Sequence, residues 1–294
     1  MAKNRERQAA ITWLMPLATL IQFMLPRWVV VRIAHAAGLL ACRLNRRGRE
    51  RFMDNYRHVM GASTPESEIK AAARRLYIHL VTNYLDLLRV PVLKRRVTAM
   101  VDFDARQVDS ALNQTRGAVL VTCHVGNWDL AGTFVAALGY PISAVFEPVP
   151  RGWARTFNRY RGATRMETIS IPDHEGIRRA IERGRLLTLV ADRDLTGRGT
   201  LCPAFDAWRS FPNGPAAYAL RYSVPIIVGC VVFQDRPGRP PYRAHVETLD
   251  FTPIGNTDTD VPALTRLVAD HMNRMIGRFP DQWLVFKAGW RQKP

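Results

Sequence analysis

Only four of the 294 residues are cysteines, Cys42, Cys123, Cys202 and Cys230. None stands in a Cys-x-x-Cys pair or at metal-ligand spacing to a histidine, so the sequence offers no zinc ribbon, no thioredoxin-type redox pair and no metal site. Two of them lie inside apolar, strand-like runs, which suits reduced, buried thiols in a cytosol-facing protein. Nucleotide fingerprints are missing too: there is no Gly-x-x-x-x-Gly-Lys-Ser/Thr and no Gly-x-Gly-x-x-Gly, and hence no phosphate cradle of either kind. A Gly-x-Ser-x-Gly nucleophile elbow is also lacking. No Pro/Gly/Ser-rich linker, internal repeat or low-complexity tract divides the chain, whose length suffices for one large core or two small ones.

Acidic residues are scarce relative to basic ones. The formal net charge is +17, from 42 Lys and Arg against 25 Asp and Glu, with Arg greatly outnumbering Lys. Residues 1–100 carry 18 basic and 6 acidic side chains, and so +12 of the total. Such a balance implies an acidic partner surface, nucleic acid or anionic membrane, and charge alone does not choose between them. Ala9 to Leu25 is an uncharged apolar run bordered by Lys3, Arg5, Arg7 and Arg27. It falls short of the ~20 residues a spanning helix needs. Pro16 and Pro26 interrupt it, and the following stretch Trp28 to Leu44 carries Arg32, His35 and Arg43. Residues 1–45 therefore read as helices lying on a membrane interface, with one α/β domain over 46–294. Two rival readings are a secretory signal, since Ala34-His35-Ala36 imitates a cleavage site, and ordinary core helices of a soluble protein. The arginines are not interleaved with aromatics in a base-stacking pattern, which argues against nucleic acid.

Arg46 to Val90 reads as basic and helical, with a helix start at Thr64-Pro65-Glu66 and Pro91 soon after the end. From residue 117 short apolar runs alternate with helical stretches. Strands are expected at Gly117–Cys123, Ile142–Phe146, Glu167–Ile171, Leu186–Ala191, Pro225–Phe233 and Tyr242–Leu249. Helices are expected near Asp129–Leu138, Trp153–Gly162, Asp173–Arg183, Asn213–Tyr222 and Val261–Arg278. This alternation predicts an α/β fold, a central, mostly parallel mixed sheet flanked by helices, with ligands at the carboxyl ends of the strands.

The stretch Thr122-Cys123-His124-Val125-Gly126-Asn127-Trp128-Asp129 ends an apolar strand on a histidine and opens a helix with an aspartate five residues later. His124 at the strand end can act as a general base, and Asp129 in the first helical turn can orient its imidazole. Cys123 is a poor partner for it, because neighbours along a strand point to opposite faces. Phe146-Glu147-Pro148 places a second carboxylate at a strand end, near His124 if the two strands are neighbours. Arg151, Arg155, Arg159, Arg161 and Arg165 form a stripe that is either a solvated basic face or a grip for phosphate. Asp192-Arg193-Asp194-Leu195-Thr196-Gly197 clusters charge at a further strand end. With no serine or well-placed cysteine nucleophile, direct transfer is favoured, His124 deprotonating the acceptor hydroxyl itself.

The block His124-Val125-Gly126-Asn127-Trp128-Asp129 at a strand-to-helix turn closely resembles the catalytic block of the bacterial lysophospholipid acyltransferase superfamily, in the branch with the lipid A lauroyl and myristoyl acyltransferases and the phosphatidylinositol mannoside acyltransferases. Asp192-Arg193-Asp194, Phe205, Pro212-Asn213-Gly214-Pro215-Ala216 and Phe279-Pro280-Asp281-Gln282-Trp283 extend the likeness from about residue 10 to the end. The Asp-Arg-Asp-Leu-Thr-Gly turn, and Asp rather than Glu at 129, look more like the phosphatidylinositol mannoside side of that branch. Phe205-Asp206-Ala207 departs from the family's Phe-Phe-Gly. The resemblance implies an O-acyltransferase at the cytoplasmic face of the inner membrane, peripheral or monotopic and using no cofactor. It would move a long, palmitoyl-type acyl chain from acyl-CoA or acyl carrier protein to a sugar hydroxyl of a glycolipid, either phosphatidylinositol mannoside or a lipid A precursor. His124 would be the base and Asp129 its orienter. Backbone N–H groups at Asn127–Asp129 or an arginine would hold the oxyanion. Arg161 would serve there or on phosphate, Glu147 and Asp194 would bind sugar hydroxyls or support His124, and Asn127 and Trp128 would line the substrate site. A non-enzymatic basic protein binding membrane or nucleic acid would explain the charge equally well.

Overall fold

The computed structural model describes residues 19–20, 24–115, 117–146, 165–171, 173–234 and 236–293. Glu147, Arg161, the arginines at 151, 155 and 159, and the helix expected at Trp153–Gly162 lie outside them, as does most of the apolar run Ala9–Leu25. From Arg27 the described chain forms α1 (Arg27–Leu44), α2 (Arg46–Met60) and α3 (Glu66–Leu93). Helix α3 starts at the expected Glu66 but runs through Pro91 into its last turn. A 3-10 turn over Lys94–Met100 leads to β1 (Val101–Asp102) and α4 (Arg106–Gln114). There follow β2 (Ala118–Thr122), α5 (Trp128–Ala137), β3 (Ile142–Phe146), β4 (Glu167–Ser170), α6 (His174–Glu182) and β5 (Leu186–Val190). The chain closes with the hairpin β6 (Thr200–Ala204) and β7 (Ala207–Phe211), then α7 (Gly214–Tyr222), β8 (Ile226–Phe233), β9 (Tyr242–Thr248) and α8 (Thr257–Arg278).

Seven strands form one sheet in the order β1-β9-β8-β2-β5-β3-β4, and β6 and β7 pair separately. All neighbours in the large sheet are parallel except β8 and β9. The expected mostly parallel mixed sheet is therefore what the chain forms, and β8, a continuous apolar run buried almost throughout, has the composition of a strand covered on both faces. The hairpin departs from expectation. Residues 200–211 read as loop in the sequence, yet they pair antiparallel around a two-residue turn at Phe205-Asp206.

Alternation along β2 sorts the core. Val119, Val121 and Cys123 pack with α7 and α8, whereas Ala118 and Leu120 pack with α4 and α5. Cys123 and His124 thus follow opposite faces, as the strand period requires. All four cysteines are free and buried. Helix α1 lies along α3 and is tied to it where Arg27 donates to Asp86 at 3.0 and 3.3 Å. Its outward side exposes Trp28, Val31, Ile33, Leu39, Leu40 and Leu44. Among the described residues no helix is long and apolar enough to cross a membrane.

Candidate active site

The register Thr122↔Val190 ends the pairing of β2 with β5. Ala191 N–H still donates to Thr122 O at 2.9 Å, so two residues past each strand His124 meets Asp192. The backbone N–H of His124 donates to Asp192 Oδ2 at 2.9 Å, and its Nδ1 lies 2.6 Å from Asp192 Oδ1. Asp192 is fully buried. That desolvation would raise its carboxyl, but the imidazole, the Arg209 guanidinium and the Trp283 indole outweigh it and hold the group well below the usual carboxylate range. An ionised carboxylate only accepts hydrogen bonds, so Nδ1 carries a proton, and in the neutral ring Nε2 is the nitrogen with the lone pair. The Trp128 ring stands edge-on to the imidazole, centroids 4.9 Å apart.

The C-terminal segment supplies the rest of the aspartate's support. Leu284 N–H donates to His124 O at 2.7 Å, and Gly126 N–H donates to Gln282 O at 2.9 Å. This short antiparallel contact seats Trp283 beside Asp192, where its Nε1 donates to Oδ2 at 2.8 Å. Gly126 has φ +70°, and a Cβ there would sit 2.0 Å from Val231 O, so the turn requires glycine. Arg209 is buried among Trp283, Trp290 and Phe211, its guanidinium carbon 4.8–5.3 Å from the three ring centroids. It donates to the backbone oxygens of Asp192 and Ala288, and burial lowers its pKa to about 10 against the opposing pull of Asp192.

His124, Trp128 and Asp129 line a cavity of about 230 Å³ at the carboxyl ends of β2, β3 and β5, with Arg193 and Leu195 on its rim. Thr122, Trp128, Gly132 and Thr188 also line a second cavity, which runs beneath α5 toward the amino ends of the parallel strands. This slot is apolar, walled by residues such as Leu120, Phe134, Ile142 and Leu186. Its free space is about 50 Å³, room for about four water-sized groups.

Several sequence expectations change here. The carboxylate at hydrogen-bond distance from His124 Nδ1 is that of Asp192, where the sequence reading puts Asp129. Asp129 shares the cavity wall, but β2 and β5 are neighbours in register and deliver the other carboxylate to Nδ1 first. Glu147 lies outside the described residues; β5 separates β2 from β3, and Phe146 at the end of β3 lines the same cavity as His124. Asp194 shapes its own loop: it accepts from the N–H groups of Thr196, Gly197 and Gly199 and the hydroxyls of Thr196 and Ser210. Burial would raise its carboxyl, yet these donors bring it to about 2. Asn127 is buried and caps α5, its Oδ1 accepting from Leu130 N–H at 3.0 Å. Its own N–H donates to Val231 O at 2.8 Å, which takes it out of the expected oxyanion donors. Trp128 is where the sequence placed it, on the site wall. Asp192, Trp283 and Arg209 were missed as a unit. Their one signal was the acidic turn after a strand, which does not say which strands adjoin.

A model of the bacterial lipid A biosynthesis acyltransferase family matches residues 2–292. A phosphatidylinositol mannoside acyltransferase of Mycolicibacterium smegmatis is 28% identical over 255 residues, 83% of this chain and 80% of that protein. The Mycobacterium tuberculosis protein of the same name is 26% identical over 257 residues, covering 83% and 77%.

Proposed function

Because the chain belongs to the bacterial lipid A biosynthesis acyltransferase family, and is an acyltransferase, we propose that it transfers a long acyl chain from a thioester, acyl-CoA or acyl carrier protein, to a sugar hydroxyl of phosphatidylinositol mannoside. The observation that carries this reading is the His124–Asp192 pair, with His124 on the wall of a cavity that shares Thr122, Trp128, Gly132 and Thr188 with an apolar one. The acyl chain lies in the slot and its thioester carbonyl stands at His124. Nε2 takes the proton of the sugar hydroxyl as that oxygen attacks the carbonyl carbon. The tetrahedral oxyanion is held by the first N–H groups of α5 and by an arginine, Arg193 on the rim or Arg161. Collapse breaks the carbon–sulfur bond, and the leaving thiolate receives the proton from the imidazolium. Asp192 keeps the imidazole in the right tautomer and balances its transient charge. Asp129 faces the substrate from the cavity wall, and Glu147 binds acceptor hydroxyls.

The exposed apolar side of α1, flanked by Arg32 and Arg43, supports peripheral attachment to anionic lipid at the cytoplasmic face of the inner membrane, where acyl-CoA is found. The family's own description keeps one alternative acceptor in view, a lipid A precursor.

Transfer of radiolabelled palmitate from its CoA thioester to purified phosphatidylinositol mannoside, with wild type beside His124→Ala, tests the reading. Transfer by the wild type alone supports it. Hydrolysis without transfer, again lost in the variant, redirects the acceptor to lipid A precursors. Equal traces from both proteins contradict the role of His124.

A further inference from the structure

Arg209 is the one buried cation among the described residues. Strand β7 carries it inward opposite Cys202 of β6, and the strand is pinned to the C-terminal tail where Trp208 and Arg291 exchange backbone hydrogen bonds at 3.0 and 2.8 Å. The guanidinium grips the backbone oxygens of Asp192 and Ala288 rather than the Asp192 carboxylate, and its Nη1 has no hydrogen-bond partner among the described residues. Both carboxylate oxygens are left to others, Oδ1 to the imidazole and Oδ2 to the His124 N–H and the Trp283 indole. A guanidinium buried with fewer bonds than its five donors allow costs free energy. Here it acts on the carboxylate by charge rather than by contact.

We propose that Arg209 is a positioning residue acting through Asp192: it cancels the charge of the buried carboxylate and so leaves the imidazole of His124 free to act as a base at neutral pH. The inference rests on the reading of His124 as the base. A lone carboxylate 2.6 Å from Nδ1 would favour the imidazolium, which has no lone pair to take a hydroxyl proton. With Arg209 in place Asp192 and Arg209 together carry no net charge, and the imidazole gains less from a second proton. Without it the buried cluster reaches neutrality only by keeping that proton. Arg209 itself stays charged, since burial lowers it only to about 10. No other group facing the pair replaces it. The Cys123 thiol is neutral, pushed up by burial, Trp128 and Trp283 carry no charge, and Asp129 and Arg193 on the cavity wall are of opposite sign.

The test is the pH profile of kcat/KM for acyl transfer from palmitoyl-CoA to phosphatidylinositol mannoside, measured on the full chain for wild type, Arg209→Met and Arg209→Lys. Beside it runs a nitrogen NMR titration of the histidine rings, the His124 signal being the one lost in His124→Ala. Arg209→Met, apolar enough for the aromatic box, moves the acid limb up by about one pH unit or more. Activity lost at neutral pH then returns at higher pH, and the His124 titration moves with it. Arg209→Gln, a milder neutral change should the methionine variant fail to fold, moves the limb in the same direction. Arg209→Lys restores the charge and brings the limb back toward its wild-type position. Rates that fall in the neutral variants by one factor at every pH, with the His124 titration unmoved, overturn the inference and leave the base standing. A wild type that transfers no acyl group at any pH overturns the proposed function, and the ring titration alone then decides whether Arg209 sets the charge of His124.

Discussion

Two buried aspartates sit in parallel settings with different consequences. Asp86 on α3 accepts from Arg27 at 3.0 Å and from the Tyr242 hydroxyl at 2.8 Å; Asp192 accepts from His124 and from the Trp283 indole, with Arg209 beside it. Each carboxylate has an arginine and an aromatic donor, and both are almost wholly shielded from water. Around Asp86 the partners close on each other: the Tyr242 hydroxyl also reaches Asn83 and Asn127, and burial pushes that hydroxyl's pKa far up. Around Asp192 one partner is an imidazole whose other nitrogen faces a cavity. A buried charge cluster is therefore a brace until one titratable member borders space that a substrate can enter.

Substitutions can separate the two clusters. The largest expected effect is His124→Ala, which lowers transfer by about 10²–10⁴-fold; steady-state rates on folded, membrane-competent protein check it. Next is Asp86→Asn, which leaves Arg27 short of its counter-charge. Because the Arg27 side chain is a third exposed and can turn to water, a loss of about 1.5–3 kcal/mol is expected in urea unfolding, with the rate of the folded fraction nearly unchanged. Asp192→Asn reverses that pattern. Its amide can set an N–H against Nδ1 and fix the unproductive tautomer, so kcat falls on the order of 10²-fold with KM little altered. Removing the α5 cap with Asn127→Ala costs about 1 kcal/mol by the same unfolding assay.

The smallest effect is one of pH. The carboxyl of Asp194, held at about 2 in the fold, has an unfolded value of about 3.9. Its contribution to stability is full above that value and disappears as pH falls toward 2. Asp194→Asn should flatten acid unfolding across that window while leaving neutral stability lower by a constant increment.

Much of this architecture was legible in the sequence because hydrophobic period and caps are local. The large sheet's strands from Ala118 to Thr248 fell close to their expected bounds, and α6 follows the expected Asp173, whose side chain accepts from Gly176 N–H. His124 and Trp128 were legible for the same reason, standing at a strand end and a helix start. The partner of His124 was not. Asp129 and Asp192 are equally plausible orienters along the chain, and only the order of strands, with β5 inserted between β2 and β3, brings residue 192 to the ring. Trp283 depends on a contact between residues more than ninety apart, and Arg209 on a hairpin whose turn, at Phe205 with φ +59°, carries no glycine to announce it.

The central claim is that His124 and Asp192 act as one device, and a double-mutant cycle tests it most directly. Transfer rates would be measured for wild type, His124→Ala, Asp192→Asn and the double variant. If Asp192 works through the imidazole, the double variant is no slower than His124→Ala alone. If the two losses multiply, Asp192 acts elsewhere, and the orienter of His124 must be sought again.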